Sequence, residues 1–177
     1  MTSSKYLGAL DNLMALEGGK TVDHAGATNY GITLRNLINS GDMDFDKDQD
    51  GDLDKRDLWA FTREDAKVYI WRHWYTKYSL DEILSPTIAS KALDIIYNFG
   101  PTRGVKTVQK SCNSFGHGLR VDGKLGPRTL RAINSTDDAQ LLSEMRKTQR
   151  RWYLHLINRR PEIYQKYERG WLRRAAT

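Results

Sequence analysis

The chain has 177 residues, 39% hydrophobic and 28% charged, with five Trp and nine Tyr. It can bury about 70% of its unfolded surface, and it is too rich in apolar and aromatic residues for a disordered chain. Its single cysteine, Cys112, allows no internal disulfide, so folding does not depend on an oxidising compartment. The net charge of +6 is unevenly placed: residues 146–177 carry ten Lys and Arg against two Glu, while residues 42–57 carry eight Asp against three basic residues. One end seeks anions and one internal loop seeks cations.

In chain order, Tyr6, Leu10, Leu13 and Met14 recur at helical spacing, and Gly18-Gly19 stop that helix at Glu17. Lys20–Ile32, with Gly26, Gly31 and the alternation Thr28, Tyr30, Ile32, predicts a small hairpin. A short helix over about Thr33–Asn39 then leads into the acidic loop. Thr62 with Asp65 reads as an N-cap and first turn, opening a helix that carries Val68, Trp71, Trp74, Tyr75 and Tyr78. Ser85-Pro86 opens another helix, with Ala89, Leu93, Ile96 and Tyr97 on its apolar side. Pro101, Pro127 and Pro161 suit first helical positions, and Asp137–Asn158 reads as one long amphipathic helix. The expected fold is mainly α, a single helical domain with a small β-hairpin near residues 20–32.

The acidic loop, Asp46 to Asp57, fits the twelve-position EF-hand pattern. Asp46, Asp48 and Asp50 fall at positions 1, 3 and 5, Gly51 at the sharp turn, Asp52 at the carbonyl position, and Leu53 at the apolar anchor. Crowded carboxylates repel one another, and a hard divalent cation removes that penalty. Asp46, Asp48, Asp50, Asp52, Asp54 and Asp57 are therefore the expected ligands of a structural or regulatory Ca2+. Asp57 stands at position 12, where a sensor loop usually has Glu; the shorter side chain suits coordination through one oxygen.

Glu17 sits at a helix C-terminus, directly before two glycines. The negative end of the helix dipole disfavours its ionisation, and an apolar wall would act in the same direction. A carboxylic acid kept protonated near neutral pH can donate to a leaving glycosidic oxygen.

Leu16-Glu17-Gly18-Gly19, followed by Gly26-Ala-Thr28-Asn-Tyr30-Gly-Ile-Thr33, resembles the opening of the N-acetylmuramidase endolysins of glycoside hydrolase family 108. Leu58–Tyr75, with its Thr62-Arg-Glu-Asp-Ala run, resembles that family's middle helix, and Asp94-Ile-Ile-Tyr-Asn98-Phe-Gly100 its Asp-x-x-x-Asn-x-Gly stretch. Val121-Asp-Gly-Lys-Leu-Gly-Pro-Arg-Thr-Leu130 resembles the signature of its C-terminal peptidoglycan-binding region.

The resemblance implies a lysozyme-like fold that cleaves the bond between N-acetylmuramic acid and N-acetylglucosamine. It implies a catalytic region over residues 1–100 and a helical peptidoglycan-binding region over residues 101–177. Glu17 matches the family's acid, Asp23 its second carboxylate, and Thr28 a residue near the attacking water. Two departures stand out: the stretch between Glu17 and Asp23 is about three residues shorter than the family pattern, and His24-Ala25 replaces Pro-Gly. The acidic loop is an insertion, expected at the periphery of the sugar cleft.

Tyr30 is a candidate for stacking on a sugar ring, and Asn98 for hydrogen-bonding an acetamido group or capping its helix. His24, His73, His117 and His155 show no zinc spacing. Cys112 with His117 is the one thiol–imidazole combination a cysteine amidase would use. A lytic transglycosylase would act on the same wall polymer, and a calcium-dependent module that binds the wall without cleaving it would share the acidic loop and the basic end. The expected partner is bacterial peptidoglycan, met by a monomer whose basic C-terminal segment faces an anionic cell envelope, with no role for nucleic acid. Met1–Gly18 lacks the features of a signal peptide. This fits a phage protein that gathers in the host cytoplasm and reaches the wall through a separate membrane-permeabilising protein.

Overall fold

The computed structural model describes residues 4–16, 19–23 and 26–177, with the side chains of residues 4–7, 16 and 23 outside that description. The elements run α1 (Ser4–Leu16), β1 (Thr21–Asp23), β2 (Gly26–Asn29), β3 (Ile32–Thr33), α2 (Leu34–Ser40), a 3-10 turn (Met43–Phe45), α3 (Lys55–Ala60) and α4 (Arg63–Ile70). A π-helical segment (Trp71–Thr76) and a 3-10 turn (Leu80–Glu82) follow. Then come α5 (Pro86–Phe99), α6 (Pro101–Asn113), α7 (Pro127–Ser135), α8 (Asp138–Arg159), α9 (Pro161–Tyr164), a 3-10 turn (Gln165–Tyr167) and α10 (Glu168–Ala176). The fold is predominantly helical with one small antiparallel sheet, as the sequence predicts. Among the described residues, no helix is long and apolar enough to cross a membrane.

The chain forms two compact units, Leu10–Lys77 and Tyr78–Thr177, the second joined by the chain start up to Ala9. In the first, the predicted hairpin is a three-stranded sheet of order β1-β2-β3, with Val22 opposite Ala27 and Asn29 opposite Ile32. The β2–β3 turn places Tyr30 at φ 50° and Gly31 at φ 75°, the paired positive values of a type I′ hairpin turn. Thr33 caps α2 by accepting from the Asn36 N–H, and Gly41, left-handed at φ 61°, ends it.

The middle helix expected over residues 58–75 is broken in two. Phe61 turns the backbone out of the helical region, and Thr62 starts α4 afresh in a reciprocal capping box with Asp65. Beyond Ile70 the helix widens into a π-helical turn, so Trp71, Trp74 and Tyr75 do not continue the expected α-helical face. Phe45, Phe61 and Tyr69 form the aromatic core of this unit, with ring centroids 5.2–6.2 Å apart. The Tyr69 hydroxyl donates to the Asn36 carbonyl at 2.8 Å, and burial pushes its pKa up to about 12.

In the second unit, α5 packs on α6 and α8, and α10 packs on α8. Pro86, Pro101, Pro127 and Pro161 each start a helix, as predicted. Gly104 lets α6 approach α5: a Cβ there would lie 2.4 Å from the Ile96 Cα. The buried Asp94 binds Arg174 Nε at 2.7 Å and Gln149 Nε2 at 2.9 Å, while Lys91 Nζ lies 3.5 Å away. Lys91 also donates to the Arg174 carbonyl. The Asp94-x-x-x-Asn98 stretch therefore anchors the C-terminal helix to α5.

Candidate active site and acidic loop

Glu17, the expected acid, lies outside the described residues, as does the side chain of Asp23. The Asp23 backbone ends β1 opposite Gly26, where the β1–β2 hairpin closes. Thr28 is half-buried in the central strand, its backbone opposite both Thr21 and Thr33. Tyr30, half-buried, occupies the left-handed region that non-glycine residues seldom adopt. Asn98 is exposed near the end of α5, and its amide nitrogen donates to the Asp94 carbonyl at 2.8 Å and to Asp94 Oδ1 at 3.1 Å. Its donors are thus turned back onto its own helix.

The acidic segment sorts itself into two groups by partner. Asp42 and Asp44 are taken up by the π-helical segment: His73 Nε2 lies 2.8 Å from Asp42, and Arg72 lies 2.6 Å from Asp44 and 3.3 Å from Asp42. Partial burial works against ionisation of Asp42, but the hydrogen bonds from His73 and Arg72 outweigh it and hold the carboxyl below the usual range. The other six aspartates are the expected ligands. They gather as two triads, Asp46 with Asp48 and Asp50, and Asp52 with Asp54 and Asp57, each able to bring three oxygens within 4.8 Å of one another.

The loop between them is shaped by its own carboxylates. Asp46 Oδ2 accepts from the Gly51 N–H at 3.0 Å, and Gly51 sits at φ 92°, where a side chain would be strained. Asp57, only 1% exposed, stitches the loop shut: Oδ1 accepts from the Lys47 N–H at 2.6 Å and Oδ2 from the Asp54 N–H at 2.8 Å. Asp54 and Asp57 together form the capping box that starts α3. Phe45 before the loop and Leu58 after it are both buried, so the loop is pinned at each end. Its incoming element is a single 3-10 turn, not the full helix of the EF-hand pattern.

Arg56, which the EF-hand spacing does not single out, runs along the cluster and bridges Asp48 at 3.2 Å, Asp54 at 2.9 Å and Asp50. Its hydrogen bond lowers the pKa of Asp54, whereas repulsion from Asp50 raises that of Asp52 and desolvation raises that of Asp48. The built-in guanidinium therefore relieves only part of the crowding. The donor set fits a hard divalent cation: all ligands are carboxylate oxygens, and Asp46 Oδ1 is a buried acceptor without a hydrogen-bond partner among the described residues. The helix that follows the loop reaches the sheet: the buried Asn29 donates from Nδ2 to the Leu58 carbonyl at 2.9 Å.

Cys112 and His117 do not form a catalytic pair. Cys112 is buried, its thiol pushed up to about 12 by desolvation, and His117 Nε2 lies 2.7 Å from the Thr136 hydroxyl. The Val121–Leu130 segment is held in shape from α6. Gln109, itself buried, donates to Asp122 Oδ1 at 2.9 Å and accepts from the Gly123 N–H at 2.9 Å, while Asn113 exchanges two hydrogen bonds with the Leu119 backbone. Gly123, at φ 83°, packs so closely on Thr102 that a Cβ would lie 2.8 Å from its carbonyl oxygen. Much of this signature serves loop construction.

A predominantly helical fold bearing a small antiparallel sheet is consistent with a lysozyme-like α+β fold. Residues 10–100, more than half of the chain, match the family Glycosyl hydrolase 108, and the chain belongs to that family. Residues 103–176 match the family described as Predicted Peptidoglycan domain. The solved structure of Brucella abortus SagA is similar in fold, with a TM-score of 0.70 and 22% identity over 99% of this chain and 95% of that one. No curated protein matches the chain. Family membership supports glycosidase activity in general and peptidoglycan as the partner.

Proposed function

We infer that the protein hydrolyses the β-1,4 bond between N-acetylmuramic acid and N-acetylglucosamine, with Glu17 as the general acid. The observation that carries this reading is the family match over residues 10–100, which spans Glu17-Gly18-Gly19, Asp23 and the Thr28-containing strand. Glu17 gives its proton to the glycosidic oxygen as the bond breaks, and positive charge grows on the sugar ring. The Asp23 carboxylate stabilises that charge or orients the water, and Thr28 holds the water by hydrogen bonding. Tyr30 and Asn98 are the proposed sugar-contacting residues.

Ca2+ bound by Asp46, Asp48, Asp50, Asp52, Asp54 and Asp57 would supply charge neutralisation to the loop and no chemistry to the reaction. The hydrogen bond from Asn29 to Leu58 connects α3, which follows that loop, with the strand carrying Thr28. The place of work is the bacterial wall, reached by a monomer through a membrane opened by another protein.

The test is end-group analysis of digested, purified peptidoglycan. New reducing ends on muramic acid are expected. Glucosamine reducing ends, anhydro-muramic ends or new amino termini would replace this reading with a glucosaminidase, a transglycosylase or an amidase, and no new ends would leave a binding module. Glu17→Gln is expected to lower the rate by about 100-fold or more while wall binding persists.

A further inference from the structure

The second unit carries a groove along one side of α6 and α8, built in two hollows on either side of Trp152. The larger, about 630 Å³, is lined by Phe99, Pro101, Arg103, Lys106, Lys110 and Trp152, among others. The smaller, about 360 Å³, shares Thr107, Lys110 and Trp152 with it and continues past Arg151 and His155. Arg103, Lys106 and Lys110 stand at i, i+3 and i+7 of α6, which puts them on one face of the helix. Among the described residues, none of the three is ion-paired with a carboxylate. The acid beside the smaller hollow, Glu144, is paired with Arg151 and with Lys147 at 3.7 Å. Its charge does not cancel the row on α6.

Trp152 gives the row a fixed point. The Arg103 guanidinium lies 4.3 Å from the Trp152 ring centroid, and the ring is set in turn by Phe99 and His155, with centroids 6.3 and 5.2 Å away. A guanidinium held over an indole loses less side-chain freedom on binding an acid. Carboxylate and phosphate both match its N–H edge in two parallel hydrogen bonds, and carboxylate is the acid that the stem peptides of peptidoglycan carry.

We propose that this groove is the wall-anchoring site of the protein, binding the carboxylate-bearing strand of peptidoglycan. Arg103, Lys106 and Lys110 contact the free carboxylates of the stem peptides, and Trp152 positions Arg103. The proposal rests on the reading of the chain as a peptidoglycan hydrolase. It deepens that reading by separating the residues that hold the wall from those that cut it. The Val121–Leu130 signature then serves mainly to brace α6 through Gln109.

The test measures co-sedimentation of the full chain with purified peptidoglycan in the Glu17→Gln background, so that cleavage does not enter and its own failure is read separately by end-group analysis. The combined variant Arg103→Ala, Lys106→Ala and Lys110→Ala should bind about tenfold more weakly with an unchanged melting temperature. Amidating the wall carboxylates should weaken the parent by a similar factor and leave the triple variant where it is. Should the triple variant fold poorly, the exposed Lys110→Gln alone carries the test, with an expected loss of about twofold. Retained affinity in the folded variants, indifference to amidation, or a larger loss on stripping phosphodiester polymers from whole walls than on amidation would overturn the proposal. So would equally tight binding to duplex DNA.

Discussion

In the helical unit, Asp94 and Gln109, both buried, find partners within the unit itself. Asp94 is shared by Arg174, Gln149 and Lys91, and Gln109 holds both Asp122 and Gly123. In the sheet-bearing unit, the corresponding charges crowd together near the surface. Of the six aspartates of the loop, the Arg56 guanidinium reaches three, Asp48, Asp50 and Asp54. The first region closes its electrostatics with its own side chains, whereas the second leaves repulsion that an added cation can remove. A divalent cation in the medium is therefore expected to act on the stability of residues 10–77 more than on that of the helical unit.

The largest expected effect comes from breaking the closed network. Asp94→Ala takes the Asp94 carboxylate away from the buried Lys91 and the half-buried Arg174, and burial already draws the Lys91 pKa down. The variant should lose about 3–5 kcal/mol, measured by chemical denaturation. Divalent cations should not restore it.

Next in size is the cation itself. At a Ca2+ concentration about 100 times its dissociation constant, the sheet-bearing unit should gain about 2.7 kcal/mol, and EDTA should remove that gain. Hydrogen exchange should report the change in residues 10–77 and leave α5, α6 and α8 unmoved. Arg56→Ala should tighten the binding seen by calorimetry, because the guanidinium and the cation compete for Asp48, Asp50 and Asp54. Protection that ignores both Ca2+ and EDTA would erase the contrast.

A smaller effect comes from Asp42, whose folded carboxyl lies below its ordinary pKa of 3.8. A depressed folded pKa means that the stabilisation is fully present above pH 3.8 and is lost as pH falls through the folded value. Asp42→Asn should cost about 1 kcal/mol at neutral pH, and its stability curve should converge on that of the parent in acid. Last, Cys112 should resist alkylation in the folded state, since burial keeps the thiol neutral. Cys112→Ser should leave wall hydrolysis at the parental rate, and lost hydrolysis in a folded Cys112→Ser protein would revive the thiol chemistry.

Local signals were legible wherever a residue acts on its own backbone. Thr33, Thr62, Ser85 and Asp137 cap helices where their types and spacing say they should, and the Asn29-Tyr30-Gly31-Ile32 turn is a hairpin turn. The Asp-rich repeat and Gly51 announced the acidic loop, whose carboxylates gather as two triads. Arg56 escaped because charge counting does not show which acids a guanidinium can span. The stretch Leu58–Tyr75 that resembles one middle helix is divided at Phe61, and the Thr62–Asp65 cap that restarts the chain there was legible in the sequence.

The sequence by itself determined the helical class, the helix starts, the family and the list of acids, since these depend on residue types at short separations. Tertiary structure decided which acids are free. Asp42 and Asp44 are claimed by Arg72 and His73, Asp94 by Arg174, and Asp57 by two backbone N–H groups of its own loop. A carboxylate's chemistry follows from the donors and charges within a few ångströms of it, and those neighbours, up to 80 residues away for Arg174 and Asp94, are chosen by packing.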